Sequence, residues 1–331
     1  MDKHLQDKEK QTLVIGIDVG GQSTKLGVVD ARGNILHQSV ISSLQTDLAS
    51  YITDLTGAIK DLLILAENSG EVKGIGIGAP NGNYYKGTIE FAPNLKWAYD
   101  ENGNPMVIYF AKMIKDIVGI PVAVTNDANA AAVGEMTYGI AKGMKNFIMI
   151  TLGTGVGSGI VVNGNIVYGH DGFAGELGHT NIIRDGRECN CGLKGCLETY
   201  TSATGVARTA KEFLNNSKKH SLLRNIDIDS ITSKDVYDAA KKGDKLAIDI
   251  FHYTGKLMGM AFASFVAFSA PEAIILFGGL AKSKEFLTES ILESMNENLI
   301  SIWKGKIPIL YSTLKDSDAA ILGASALAWE L

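Results

Sequence analysis

All three cysteines of the chain fall within eight positions, in the run Cys189-Asn190-Cys191-Gly192-Leu193-Lys194-Gly195-Cys196. His179 stands a short way upstream. Three thiolates and one imidazole make a closed tetrahedral set for Zn²⁺, which is the pattern of a structural ion. Gly192 and Gly195 permit the tight turns that wrap thiolates around one centre. A redox-active thiol cluster and three inert cysteines are the alternatives. Confinement of the whole cysteine complement to one loop favours the metal.

Two glycine turns could hold phosphate. Asp18-Val19-Gly20-Gly21-Gln22-Ser23-Thr24-Lys25 puts an acid, two glycines and hydroxyls at the end of an apolar strand. Consecutive peptide N–H groups there form an anion-binding concavity, and the Asp can organise a hydrated Mg²⁺. Gly153-Thr154-Gly155 offers a second turn of the same type. No Gly-x-x-x-x-Gly-Lys-Ser/Thr run occurs, so a Walker-type loop is excluded. A third feature is Asn126-Asp127, directly after a strand and before a helical stretch. An N-cap is the plain interpretation of that pair. The functional one is a carboxylate that accepts a proton from a hydroxyl nucleophile.

The elements that position these residues recur in order. Leu13 to Val19 reads as a strand ending in the first turn, Lys25 to Asp30 and Ile35 to Ile41 as its hairpin partners. Leu48, Tyr51, Ile52, Leu55, Ile59, Leu62 and Leu63 recur at helical spacing, with Thr46 as N-cap. Strand, helix and strand follow at Gly74 to Gly78, Pro105 to Val118 and Pro121 to Thr125, and Ala128 to Tyr138 reads as helix. The second half opens alike: strand Phe147 to Leu152, the glycine turn, then strands Ser158 to Val162 and Asn165 to Tyr168 about Asn163-Gly164. A shift of 133 positions lays Gly20 on Gly153 and Val28-Val29 on Val161-Val162. Chance similarity of short glycine-rich strands is the alternative, but the shared order of elements favours duplication. Helices are expected near Ser202 to Leu214, Asp244 to Phe268, Lys282 to Leu299 and Ser317 to Leu331, with strands at Ala273 to Phe277 and Ile307 to Tyr311. Two such α/β halves around a cleft suit a small-molecule site. The expected break falls near residue 124, giving a smaller domain of 1–124 plus 317–331 and a larger one, 125–316, with the cysteine motif.

Length and composition agree with that plan. A chain of 331 residues with 46% hydrophobic and 20% charged residues is long enough for about two cores without staples. Net charge −5 gives no electrostatic case for a nucleic-acid partner. The 37 glycines against 6 prolines belong in turns and close backbone approaches rather than linkers. The uncharged stretch from Phe147 to Gly169 is too rich in Gly and Asn for a bilayer helix. The charged first residues carry no apolar run like a signal peptide. A soluble, cytoplasmic protein with no membrane partner is expected.

The run Leu152 to His179, with Gly175-Glu176-Leu177-Gly178-His179 at its end, resembles the signature of the ROK family of repressors, open reading frames and sugar kinases. The cysteine run, Asn126-Asp127, the Asp-x-Gly-Gly turn, Ala92-Pro93-Asn94-Leu95 and Phe277-Gly278-Gly279 match the same family. The resemblance implies an α/β, actin-like, hexokinase-type ATPase fold. It implies an ATP-dependent hexose kinase, with glucose the first choice and the 6-hydroxyl as acceptor. Asp127 would be the general base, with Asn126, Glu176, His179 and Glu198 on the sugar hydroxyls and Asn94 and Gly78-Ala79-Pro80-Asn81 in segments closing over the sugar. His179 would also join Cys189, Cys191 and Cys196 on zinc. Asp18 would organise Mg²⁺, with Gly20, Gly21, Ser23, Thr24, Lys25, Gly153, Thr154 and Gly155 about the phosphates of ATP and Gly278-Gly279 at the adenosine. A homo-oligomer, dimer or tetramer, is a family-level expectation.

Two positions depart from the family pattern. Gln22 stands where Thr is usual, with hydroxyls displaced to Ser23 and Thr24, and Asn81 stands where many members have Gly. Alternatives are a kinase for another hexose, such as an N-acetylhexosamine, mannose or fructose, and a catalytically silent sugar-binding regulator. The family's DNA-binding repressors carry a helix-turn-helix ahead of the first strand, for which the dozen or so preceding residues are too few.

Overall fold

The computed structural model describes residues 11–331, apart from the side chains of Asp316 and Ser317. The charged segment of residues 1–10 lies outside the described residues. The chain divides into two compact units. The first is built on β1 (Thr12–Val19), β2 (Ser23–Asp30), β3 (Ile35–Ser42), α1 (Leu48–Ala66) and β4 (Glu71–Ala79). Short strands β5 (Gly82–Asn83), β6 (Thr88–Glu90) and β7 (Val107–Ile108) come next, then α2 (Phe110–Val118), β8 (Val122–Asn126) and α3 (Asp127–Tyr138). The second contains β9 (Phe147–Leu152), β10 (Val156–Val162), β11 (Asn165–Ile166), α4 (Glu198–Thr201), α5 (Ala203–Asn216), α6 (Ser233–Lys241), α7 (Lys245–Ser269), β12 (Ala273–Phe277), α8 (Lys284–Asn298) and β13 (Ile309–Tyr311). The last helix, α9 (Asp316–Ala328), belongs to the first unit.

Each unit holds a five-stranded sheet, ordered β3-β2-β1-β4-β8 in the first and β11-β10-β9-β12-β13 in the second. Both have one plan: an antiparallel hairpin on one side of the leading strand and parallel strands on the other. The duplication read from the sequence is therefore a duplication of topology. The tempting uncharged stretch is the β9–β10 hairpin and its return. Among the described residues no helix is long and apolar enough to cross a membrane.

Each unit also has its own core. In the first, α1 buries Tyr51, Leu55, Ile59 and Leu62 against Leu13, Ile15 and Ile17 of β1. Tyr51 stacks on buried Trp97 with ring centroids 4.0 Å apart. The other face of the sheet receives α9 at backbone contact. A Cβ on Gly16 would stand 2.0 Å from the Ile321 carbonyl oxygen, and one on Gly76 only 1.9 Å from that of Ala324. Helix α3 meets α9 equally closely, since a Cβ on Gly134 would lie 2.6 Å from the Gly323 Cα. Glycines at these positions thus serve close docking of helices on the sheet and on one another.

That docking moves the boundary expected near residue 124. The first unit runs through Lys142 and takes in residues 168–173 and 314–331, because α3 is fastened to α9. Residues 168–173 stay with the first unit through the Asn83 Nδ2 donation to the Asp171 carbonyl, 2.7 Å, and the stack of Tyr84 on Tyr168, 4.3 Å.

Local expectations were corrected at two helix starts. The N-cap of α1 is Asp47, not Thr46, since the Asp47 carboxylate accepts from the Ser50 amide at 2.8 Å. Helix α2 starts at Phe110, not Pro105, because Pro105 pairs with Tyr99 in a hairpin closed by Asp100 and Asn104. Helix α6 was not foreseen, although its capping box, Thr232 with Asp235, is a local signature.

Candidate active site and metal centre

In the first unit, β1 ends at Val19 and the Asp18-to-Lys25 turn passes directly into β2. Asp18 and Lys25 are register partners across the hairpin. Burial and the neighbouring Asp127 charge raise the Asp18 carboxyl from 3.8 to about 6, with Lys25 pulling the other way. The Gly20 amide closes the turn on the Ser23 carbonyl at 3.1 Å. A Cβ on Gly21 would lie 2.8 Å from the Asn94 carbonyl oxygen, so the predicted phosphate turn and sugar loop touch. Ser23 and Lys25 share one face of β2, while Thr24 points into the core with Leu26. The Thr24 hydroxyl is spent on Ser43 at 2.8 Å and Tyr51 at 2.6 Å. Strand alternation thus takes Thr24 out of the residues expected about the phosphates. Of the hydroxyls displaced by Gln22, Ser23 is the one on the Lys25 face.

Asn126 and Asp127 straddle the join of β8 and α3. Both side chains accept from the Ala128 amide at 2.8 Å, so the plain N-cap interpretation of Asn126 is correct as well. The cap uses only the Asn126 Oδ1, which leaves its Nδ2 as a donor for a ligand. Asp127 retains solvent-exposed surface, yet dense protein around it raises its carboxyl above the ordinary value. Its hydrogen bonds to backbone amides oppose that shift. A carboxylate held in this way has increased affinity for a proton, which suits a general base. Asn94 is exposed beside the buried Ala92 and Leu95. Asn81 sits at φ +51° and donates through Nδ2 to the Glu90 and Phe91 carbonyls at 3.0 and 3.2 Å. The position demands left-handed backbone, which Asn tolerates next best to Gly, and this accounts for the departure seen in the sequence.

In the second unit, Gly153 and Gly155 close the turn between β9 and β10, the Gly153 amide bonding the Gly155 carbonyl at 3.1 Å. No atom crowds a Cβ position at Gly153, whereas one on Gly155 would stand 2.4 Å from the Glu198 Oε2. Glu198 opens α4, and its Oε2 accepts from the Val156 amide at 3.0 Å. The same carboxylate lies 3.5 Å from the Cys189 Sγ and 4.0 Å from the His179 Nδ1. Glu176 faces the other imidazole nitrogen, Nε2, at 4.0 Å. Its segment is pinned by Ser158, a residue that motif reasoning missed: the Ser158 hydroxyl donates to the Gly175 carbonyl and accepts from the Leu177 amide at 3.2 Å. The signal available was a lone hydroxyl within the glycine-rich strand. Gly278 takes φ +103° and lies against Leu152, where a Cβ would meet the carbonyl oxygen at 2.6 Å. Gly279 is open, with nothing within 4 Å of a built Cβ.

His179, Cys189, Cys191 and Cys196 do come together, with their ligand atoms all within 4.8 Å of one another. Cys191 Sγ and Cys196 Sγ are 3.6 Å apart, and Cys189 Sγ is 3.7 Å from the His179 Nδ1. A tetrahedron with Zn–S bonds of ~2.3 Å has edges of ~3.8 Å, so the donor set fits that ion in number, type and spacing. Burial pushes the Cys189 thiol up to about 12 and also raises Cys196. At Cys191 burial is outweighed by hydrogen bonds from the Leu193 amide and neighbouring thiols, which lower it. Three thiols crowded in this way need a cation to hold them all as thiolates. A separate cavity of about 440 Å³, lined by Val167, Phe265 and Phe268 among others, includes none of the predicted site residues.

Paired five-stranded sheets of one topology, each opening on a glycine turn, define a protein of the actin-like, hexokinase-type ATPase fold. The chain belongs to the ROK family, which it matches over residues 14–330. It is 35% identical to a glucokinase of Halalkalibacterium halodurans over 95% of this chain and 94% of that protein. A glucokinase of Streptomyces coelicolor is 33% identical over 96% and 98% of the two chains. Among solved structures, a ROK family glucokinase from Streptomyces griseus in complex with glucose and AMPPNP superposes with TM-score 0.77. It is 33% identical, over 96% of this chain and 100% of that one.

Proposed function

We propose that this protein is an ATP-dependent hexose kinase that transfers the γ-phosphoryl group of ATP to the 6-hydroxyl of glucose. The observation that carries the reading is Asp127, a carboxylate of raised proton affinity where β8 gives way to α3, beside Asn126 and Asp18. Similarity to glucokinases of two organisms supports the choice of sugar.

In this mechanism Asp127 accepts the hydroxyl proton as the sugar oxygen attacks the γ-phosphorus in line. The new O–P bond forms as the bond to the β-phosphate bridging oxygen breaks, and ADP leaves with that electron pair. Asn126 Nδ2, Asn94, Glu176, His179 and Glu198 hold the other hydroxyls. The amides of the two glycine turns, with Ser23, Lys25 and Thr154, carry charge on the phosphates. Gly278-Gly279 lets the nucleoside approach the backbone. Mg²⁺, held through Asp18, would neutralise phosphate charge. Zn²⁺ on His179 and the three cysteines would fix the imidazole edge that faces the sugar. The chain would work in the cytoplasm as a homo-oligomer, dimer or tetramer.

A coupled ADP-release assay across a panel of hexoses tests the reading. Glucose should give the highest kcat/KM, and Asp127→Asn should lower kcat by ~10²–10⁴-fold while calorimetry still detects sugar binding. Absence of sugar-dependent ADP release, or near-normal turnover in the variant, would overturn it.

A further inference from the structure

Arg187 is buried, its side chain only 5% exposed, and neither the mechanism nor the zinc set uses it. All five of its guanidinium N–H donors are engaged. Nε and one Nη2 proton grip the Glu212 carboxylate at 3.0 and 2.5 Å. The other Nη2 donor reaches the Thr209 hydroxyl at 2.9 Å. Nη1 donates to the Thr199 carbonyl at 2.6 Å and the Gly205 carbonyl at 3.2 Å. The guanidinium also lies over the Tyr200 ring, 4.3 Å from its centroid. Its backbone is tied at both ends, with the Arg187 amide on the Tyr200 hydroxyl and the Gly195 amide on the Arg187 carbonyl, both at 2.8 Å.

These partners belong to three neighbouring pieces of the site. Arg187 precedes the cysteine knuckle and Gly195 lies near its end, Thr199 and Tyr200 lie in α4 behind Glu198, and Gly205, Thr209 and Glu212 lie in α5. The start of α5 in turn holds the second phosphate turn. The Ala203 amide bonds the Gly153 carbonyl at 2.9 Å, and the Thr204 hydroxyl bonds the Thr154 carbonyl at 2.8 Å. A single planar fork therefore clamps the knuckle to the helix corner from which Glu198 projects. Bidentate, charge-assisted bonds of this kind fix angle as well as distance.

We infer that Arg187 is a positioning residue, which sets the orientation of Glu198 and the closure of the cysteine knuckle on its metal. The inference rests on the proposed sugar-binding role of Glu198. An ammonium group cannot span the same partners, because it offers three donors from one point rather than five in a plane. Arg187→Lys keeps the buried charge and loses the clamp.

The test compares wild type, Arg187→Lys and Glu198→Gln, read by sugar KM and kcat and by the rate of zinc release to a chromogenic chelator well below the Tm. Zinc release from Arg187→Lys should quicken by about 10-fold. Its sugar KM should rise several-fold with kcat changed much less, the pattern of lost uniform binding. A purely structural role would lower the Tm and leave both readouts alone, and that result overturns the inference. If Glu198→Gln raises sugar KM and Arg187→Lys moves neither readout, the positioning role fails and the site reading stands. If Glu198→Gln leaves KM unchanged, the site reading itself fails. Should Arg187→Lys not fold, Glu212→Gln removes the charge from the outer end of the clamp. It should shift both readouts in the same direction by less, and unchanged values in that folded variant overturn the inference.

Discussion

The raised proton affinity of Asp127 and Asp18 has a cost in stability. Both carboxyls are raised above their ordinary values by their surroundings, Asp18 to about 6 by burial and by Asp127. The folded state therefore binds these protons more tightly than the unfolded chain does. The stabilisation is fully present below the unfolded value of 3.8 and is lost as pH rises through about 6. In Mg²⁺-free buffer, urea denaturation should show stability falling between about pH 4 and pH 7, with Asp18 contributing on the order of 2 kcal/mol. Asp18→Asn should flatten that slope and be the more stable protein at the upper pH. An unchanged slope in the variant would show that the Asp18 carboxyl is not perturbed. Thr24 gives the opposite lesson at this scale: one position along a strand decides between a hydroxyl on the Lys25 face and a core hydroxyl bonded to Tyr51.

At the scale of elements, the sheet of the first unit is fitted to α9 at backbone distance. Gly16 and Gly76 face the carbonyls of Ile321 and Ala324 with no room for a methyl group. In the second unit Gly255 and Gly259 let α7 approach α8 as closely, with Cβ positions 3.0 Å from the Leu287 oxygen and 2.5 Å from that of Ile291. Because the obstruction at Gly76 is backbone, Gly76→Ala must displace the helix rather than rotate a side chain. Overpacking of this kind costs ~1–3 kcal/mol or more. Chemical denaturation should show at least that loss, whereas Gly57→Ala on α1, with nothing near its Cβ position, should be neutral to stabilising. Equal stability of Gly76→Ala and wild type would refute the docking geometry.

For the whole molecule, the candidate sugar ligands are divided between the two units. Asn94, Asn126 and Asp127 belong to the first, and Glu176, His179 and Glu198 to the second. Each unit has its own core, so unfolding need not be a single transition. A sugar bound as proposed should stabilise the folded chain by about 2.7 kcal/mol at a hundredfold excess over Kd. Scanning calorimetry with 6-deoxyglucose should show this rise without any release of ADP, because the acceptor hydroxyl is missing while the other hydroxyls remain. No rise in Tm with either glucose or the deoxy sugar would contradict the proposed ligands.

The repeated strand order, the two glycine turns, the Asn126-Asp127 pair and the clustering of His179 with three cysteines are legible in the chain alone. These are local matters: alternation, turn chemistry and the clustering of rare residue types survive without knowledge of distant contacts. The helix starts at Asp47 and Phe110 differed from the simplest pattern because neighbouring side chains and a hairpin competed for the same backbone. The burial of Thr24, the boundary after Lys142 and the pin at Ser158 emerge only once the chain is folded. The bonds of Arg187 to Thr199, Thr209 and Glu212, and of Glu198 to the Val156 amide, likewise come from the fold alone. Each of these depends on contacts between residues well separated along the chain, and periodicity and spacing carry no information about which separated groups will meet.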